Sequence, residues 1–214
     1  MIYIIDTAND EEIKESLSLG INGVTANSSM YLKNNTNFYG FLKEYSSKNL
    51  DFLSGEVMGD TFEDMVEEVN KIQEIDNSIV IKINFSEEGL KLCKYLKEKG
   101  IKSALTLIFN VSQAVAAINA GADYLFVFIG RNDDNGNDGL SIIESIQSIV
   151  KEKDYKTKVV AASIKNLYQL ERLSTIGIDF AAIPYNLYIK SLYHSLTESG
   201  STAFKKDWQS IKHI

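Results

Sequence analysis

The chain has 214 residues, 44% hydrophobic and 24% charged, which suits one globular domain around one sizeable core. A net charge of -7 and a pI near 5.0 argue against a nucleic-acid partner, and the lack of any run of about 18 apolar residues argues against a membrane span. The opening MIYIID has no basic segment of a secretory signal, and the single cysteine, Cys93, has no partner for an internal disulfide, so a cytoplasmic protein is expected.

The first apolar run, Ile2–Asp6, is followed by the helical pattern EEIKESLSLG, which ends on Gly20, where a helix stop is expected. Gly23–Ala26 and Asp51–Val57 are the second and third runs. TFEDMVEEVNKIQEI then has helical spacing and leads to Ile79–Ile83. SEEGLKLCKYLKEKG is a further helix, stopping at Gly100, and places Cys93 in a helical pattern where it is expected to be inert. Ser103–Ile108, Tyr124–Ile129, Lys158–Ser163 and Phe180–Pro184 complete eight runs. Most alternate little, as parallel strands covered on both faces should.

Eight strand–helix units predict an α/β protein, a (β/α)8 TIM barrel formed by residues 1–214 as a single domain with short loops. A doubly wound sheet is disfavoured, because no GxGxxG turn follows the first run. After Pro184 about 30 residues remain, more than one closing helix needs. Gly200 is expected to break this segment. A terminal helix should follow, with Phe204, Trp208 and Ile211 at i, i+4 and i+7 on one face and Lys205, Lys206, Asp207 and Lys212 on the other. Such a stripe must be buried, either on its own barrel or on another copy.

Chemistry in a (β/α)8 barrel sits at the C-terminal ends of the strands. The runs end on or lead into Asp6, Thr25 and Asn27, Ser54 and Glu56, Lys82, Thr106, Arg131 and Ser163. Lys82 is the sharpest of these, because it interrupts the apolar IVIKI. A lysine there must reach a polar cavity or lose its charge. Desolvation of an amine makes a nucleophile for carbonyls; the alternative is a lysine neutralised by Glu56 or Asp6. Arg131, Ser163 and Lys165 could form an anion site, aided by helix amides after Ser163; the alternative for Lys165 is a solvated helix charge. Asp133, Asn135, Asn137 and Glu144 have EF-hand-like spacing, but Asp138 stands where the sharp turn needs glycine, so a polar turn without metal is expected. His194 and His213 lie away from every strand end and are assigned no chemistry.

These segments resemble the small transaldolase and fructose-6-phosphate aldolase family along essentially the whole chain. YIIDTAN is similar to the family's opening, GVTANSS to its GVTTNPS, IVIKINFSEEGL to its lysine strand, and FIGRNDDNGNDG to its FVGRLDDIGHDG. VVAASIKN and the tail HSLTESGSTAFKKDWQ also match. The resemblance implies a Schiff base on Lys82, Asp6 as acid–base group, and a water held by Glu56 and Thr106. It implies substrate contacts from Thr25, Asn27, Ser54 and Phe128, and a phosphate site of Arg131, Ser163 and Lys165. No cofactor and no metal are implied.

Glutamate at position 56 and phenylalanine at 128 favour transaldolases over direct aldolases. The implied reaction is transfer of a dihydroxyacetone unit from a ketose phosphate to an aldose phosphate, a step of the pentose phosphate pathway. The rivals are an aldolase releasing free dihydroxyacetone and a sugar-phosphate-binding protein without turnover. The resemblance also implies a homo-oligomer, a pentameric ring or a decamer, with the last helix on a neighbour. Four departures bear on the pocket. Ala26 replaces a threonine, Ser28 a proline, Ala104 an asparagine, and Phe126 a small residue that would leave more room if position 126 faces inward.

Overall fold

The computed structural model describes residues 1–212; His213, given no role above, lies outside them. Eight parallel strands close into a barrel in chain order: β1 (Ile2–Asp6), β2 (Gly23–Thr25), β3 (Phe52–Val57), β4 (Val80–Asn84), β5 (Ser103–Ile108), β6 (Tyr124–Phe128), β7 (Lys158–Ala162) and β8 (Phe180–Ile183). Each expected run is one of these strands to within a residue at either end. β8 pairs back onto β1 in a register running from Ile2 opposite Phe180 to Ile5 opposite Ile183.

One or two helices follow each strand. They are α1 (Asp10–Ser18), α2 (Ser28–Lys33), α3 (Phe38–Ser46), α4 (Phe62–Gln73), α5 (Glu87–Lys99), α6 (Val111–Ala120), α7 (Ile129–Asp134), α8 (Gly139–Glu152), α9 (Leu167–Ile176), α10 (Tyr185–Ser191) and α11 (Ser195–Ile211). Their starts are written in short polar residues. Asn9, Thr61, Ser86 and Asn166 each accept a hydrogen bond from a first-turn amide. Gly100 ends α5 in the left-handed region at φ 71°, and Gly20, at φ 101°, turns the chain after α1.

The period of two along each strand sorts side chains into two cores. In β4, Ile81 and Ile83 join the large cluster between barrel and helices, whereas Val80 joins the small cluster inside the barrel. That interior cluster also contains Ile4, Phe52, Ala104, Phe126, Val160, Ala162 and Ala182. Phe52, Tyr124 and Phe180 pack edge-on or tilted, with centroids 5.1–6.4 Å apart, and fill the lower barrel. Phe126 adds to this stack, 6.2 Å from Phe52. Position 126 therefore faces inward, with its ring at the top of an aromatic floor. Cys93 is fully buried in α5, and burial raises its thiol pKa, so it is inert.

The C-terminal segment departs from expectation at one point. Gly200 does not break it: α11 is a single helix from Ser195 to Ile211, with His194 as its cap through Nδ1. A lone interior glycine costs a helix only about 1 kcal/mol relative to alanine, which sixteen other helical residues can absorb. The apolar stripe is present and does not pack on its own barrel. Phe204 is 75% exposed and Trp208 62%, and no residue of α11 is buried.

Asn132 fastens the strand ends that lead into the site. Its Nδ2 donates to the carbonyls of Phe109 and Phe128, both at 3.0 Å, tying the turn after β5 to the end of β6. Asn132→Ala leaves both carbonyls short of a donor. The expected result in urea denaturation is a loss of about 1–3 kcal/mol with an unchanged m-value.

Candidate active site

A cavity of about 510 Å³ opens at the C-terminal end of the barrel. Its walls include Asp6, Thr25, Asn27, Glu56, Lys82, Thr106, Phe128, Arg131, Ser163 and Lys165. Every residue given a catalytic or substrate-binding role from the sequence reaches it except Ser54; of the four departures, Ser28 and Phe126 line it and Ala26 and Ala104 do not. Ser54 lies just behind the wall, where its hydroxyl shares a 2.7 Å hydrogen bond with Thr25.

Lys82 follows Val80 on the inward face of β4, so its side chain rises through the barrel interior and is only 5% exposed. Its Nζ donates to the carbonyl of Ala26 at 2.5 Å and lies 3.8 Å from Glu56 Oε2. Glu56 is the residue paired with Lys82 across β3 and β4, so the strand register itself sets this contact. The two alternatives for Lys82 thus coexist: it has a carboxylate partner and it opens onto a polar cavity. Glu56 Oε2 also accepts from the backbone amide of Ser28, at 3.3 Å. A proline at position 28 could not make that bond.

Asp6 ends β1. Its pKa is raised to about 6, chiefly by burial, with Glu56 adding to the rise and Lys82 opposing it. A carboxyl poised there can both take and return a proton near neutral pH. Asn27 caps α2, its side-chain oxygen accepting from the Met30 amide at 3.2 Å, so the face left for a ligand is its NH2 donor.

At the rim, Arg131 projects from α7 with its guanidinium carbon 5.0 Å from the Phe128 ring centroid. Ser163 holds φ 59°, and its carbonyl accepts from the Gly130 amide at 3.0 Å. A Cβ at Gly130 would come within 2.1 Å of that carbonyl, so only glycine lets the turn after β6 approach the end of β7. Lys165 pairs with Asp134 at 3.3 Å, both half-exposed or more, a contact of little energetic weight that leaves the amine able to meet an anion.

The helix amides expected after Ser163 are not free as a group. α9 begins only at Leu167; Asn166 takes the Gln169 amide, and Gln169 Oε1 takes the Lys165 amide. The acidic loop serves the backbone: Asp133 accepts from the Gly139 amide, and Asp138 caps α8. Among the described residues no group of three or more His, Cys, Asp or Glu could hold a metal ion.

Three contributors were not visible in the sequence. One is the Ala26 carbonyl, a backbone atom with no residue signature. Another is Asn84, one inward step above Lys82 on β4, lining the cavity. The third is Tyr31 on α2, whose buried hydroxyl has no hydrogen-bond partner. Burial, then Glu56 and Asp6, raise its pKa, so it stays a neutral donor. In the sequence it reads as an ordinary core aromatic.

Comparison with known proteins gives the family. A family model described as Transaldolase/Fructose-6-phosphate aldolase matches residues 3–213. The chain is 40% identical over 210 residues to a protein named "Probable transaldolase" from Clostridioides difficile, covering 98% of this chain and 97% of that one. A protein of the same name from Thermoanaerobacter is 39% identical over 210 residues, with the same coverage, and one from Desulfitobacterium hafniense is 38% identical over 213 residues, covering 99% and 100%. With the barrel, the interior lysine and this whole-length match together, the chain belongs to the transaldolase/fructose-6-phosphate aldolase family.

Proposed function

We propose that residues 1–214 act as one domain that transfers a three-carbon ketol unit, dihydroxyacetone in the family's reaction, from a ketose phosphate to an aldose phosphate through an imine on Lys82. The observation that carries this reading is the Lys82 amine, held inside the barrel at the cavity beside Glu56 and within the field of Asp6. Lys82 attacks the ketose carbonyl, and loss of water gives the imine. Asp6 accepts the proton of the hydroxyl on the carbon beyond the breaking bond, and the imine takes up the electron pair as an enamine. The leaving aldose phosphate departs, a new aldose phosphate enters, and Asp6 returns the proton to its carbonyl oxygen as the new bond forms.

Glu56 and Thr106 hold the water of imine formation and hydrolysis. Thr25, Asn27 and Ser54 serve the substrate hydroxyls, with Ser54 acting through its bond to Thr25. Arg131, Ser163 and Lys165 receive the phosphate, Arg131 giving the directed donors and Lys165 a movable charge. Phe128 stacks beneath Arg131 and offers no hydroxyl to bring water to the enamine, which favours transfer over release. No step in this sequence calls for a cofactor, and sugar phosphates are the partners it requires.

The exposed stripe of α11 supports assembly into a homo-oligomer, a pentamer or decamer, in this reading. Phe204, Trp208 and Ile211 are each more than half exposed on one face, an apolar area that a second copy would cover.

Four results are expected. With fructose 6-phosphate and an aldose-phosphate acceptor, the wild type should form transfer product and Lys82→Met none; free dihydroxyacetone as the main product would instead mark a direct aldolase. The free-enzyme pH profile of kcat/KM should have an acid limb near pH 6, because Asp6 must be ionised to accept a proton. The same shift makes the folded state bind that proton more tightly than the unfolded chain. Its contribution to stability is therefore full below the ordinary carboxylate range and lost as pH rises through about 6, so Asp6→Asn should lose activity and flatten this part of the stability profile. Light scattering should give a mass several times 24.0 kDa, reduced by truncation after Ser199; a monodisperse full-length monomer at micromolar concentration would contradict the assembly.

A further inference from the structure

Glu56 serves two cavities. It lines the active-site cavity and also an adjoining chamber of about 240 Å³, and Ser28 and Met58 are shared by both in the same way. Tyr31 from α2, Phe38 and Tyr39 from α3, and Glu68 from α4 complete the chamber. Ser28, Tyr39 and Met58 are exposed, whereas the Glu56 side chain and Tyr31 are each 8% exposed. The chamber therefore runs from the surface inward to a carboxylate and a phenol.

The Tyr31 hydroxyl is buried and has no hydrogen-bond partner among the described residues. A buried donor left unpaired is costly, and folded proteins pair such groups with protein or with water. Phe38 and Phe41 pack edge-on against the ring, with centroids 5.3 and 5.2 Å away, and fix its direction. The charges of Glu56 and Asp6 add to burial in keeping the proton on this hydroxyl, so it is a donor and not a base. Glu56 Oε2 takes the Ser28 amide at 3.3 Å and faces Lys82 Nζ at 3.8 Å. A carboxylate has about four lone-pair sites, so it can accept a further bond, and a polar chamber of this size holds water.

Resting on the Schiff-base reading above, we propose that Tyr31 is a positioning residue for Glu56: its hydroxyl donates to a water in the side chamber, and that water donates to the Glu56 carboxylate and links it to solvent. Water and protons then have a route that a sugar phosphate in the main cavity does not block. In imine formation, Lys82 Nζ bonds to the ketone carbon. Glu56 carries the two amine protons in turn to the ketone oxygen. The carbon–oxygen bond breaks as the nitrogen lone pair forms the carbon–nitrogen double bond, and the oxygen leaves as water past Ser28 and Met58. Hydrolysis runs the same steps backwards. The water held by Tyr31 keeps Glu56 oriented between transfers.

The test separates the steps that use water from the one that does not. Dihydroxyacetone in oxygen-18 water exchanges its carbonyl oxygen through imine formation and hydrolysis alone. Mixing the enamine preformed from fructose 6-phosphate with an aldose-phosphate acceptor, then quenching with borohydride, reads the carbon–carbon step from the mass of the Lys82 adduct. One neutral hydrogen bond is worth up to about tenfold in rate. Tyr31→Phe should therefore slow oxygen exchange by about three- to tenfold and leave the conversion of the three-carbon adduct unchanged. Its urea midpoint should not rise, because the hydroxyl it loses was paired with water. Unchanged exchange, equal slowing of both steps or a raised midpoint overturns the proposal and leaves the imine chemistry standing. Exchange by the wild type no faster than by Lys82→Met overturns the Schiff-base reading and this inference with it. Should Tyr31→Phe not fold, Phe38→Trp keeps the hydroxyl and narrows the chamber; it must slow exchange in the same selective way, and unchanged exchange there overturns the proposal.

Discussion

The site depends on placing one lysine inside a barrel that is otherwise packed with apolar side chains. Burying an ammonium group is costly unless something compensates it, and here the compensation is local. Strand pairing puts Glu56 directly across from Lys82, and the end of β2 turns the Ala26 carbonyl toward the amine. The same amine and the same carboxylate act on Asp6 in opposite senses, and burial outweighs both, leaving Asp6 near neutrality rather than in the ordinary carboxylate range. Groups on β3 and β4 therefore act on the state of the carboxyl on β1. The strand register and the closure of the barrel hold them together.

The aromatic floor has a second role in this arrangement. Phe52, Tyr124 and Phe180 fill the lower barrel, so the cavity has a closed bottom and the lysine faces only one opening. Phe126 raises that floor toward the amine. A larger ring on β6 is matched by a smaller residue, Ala104, on β5, and the barrel interior below the cavity remains filled. The volume is thus redistributed between neighbouring strands, while Thr106 on β5 still presents its hydroxyl to the cavity. The polar half of the cavity is untouched by the exchange.

Much of this was legible in the sequence, for definite reasons. Parallel strands covered on both faces leave near-continuous apolar runs, so all eight could be bounded to within a residue. Lys82 stood out because a charge inside such a run has few structural explanations. Other features carried no signal. Gly200 reads as a helix breaker, yet a single glycine is a small cost against a long helix, and α11 runs through it. Whether Phe126 faced inward depended on strand register, which pattern alone does not supply. Tyr31 reads as core and is core, but its buried hydroxyl has no hydrogen-bond partner and feels the charges of Glu56 and Asp6. The helix amides expected after Ser163 were taken by Asn166 and Gln169, whose side chains fold back on their own turn.

The central claim is that Lys82 forms the covalent intermediate. The most direct measurement is borohydride reduction of the wild-type protein in the presence of fructose 6-phosphate, followed by peptide mapping by mass spectrometry. The account predicts a reduced three-carbon adduct on the peptide containing Lys82 and none on the Lys82→Met protein. An adduct on another lysine, or one that persists in Lys82→Met, would contradict it.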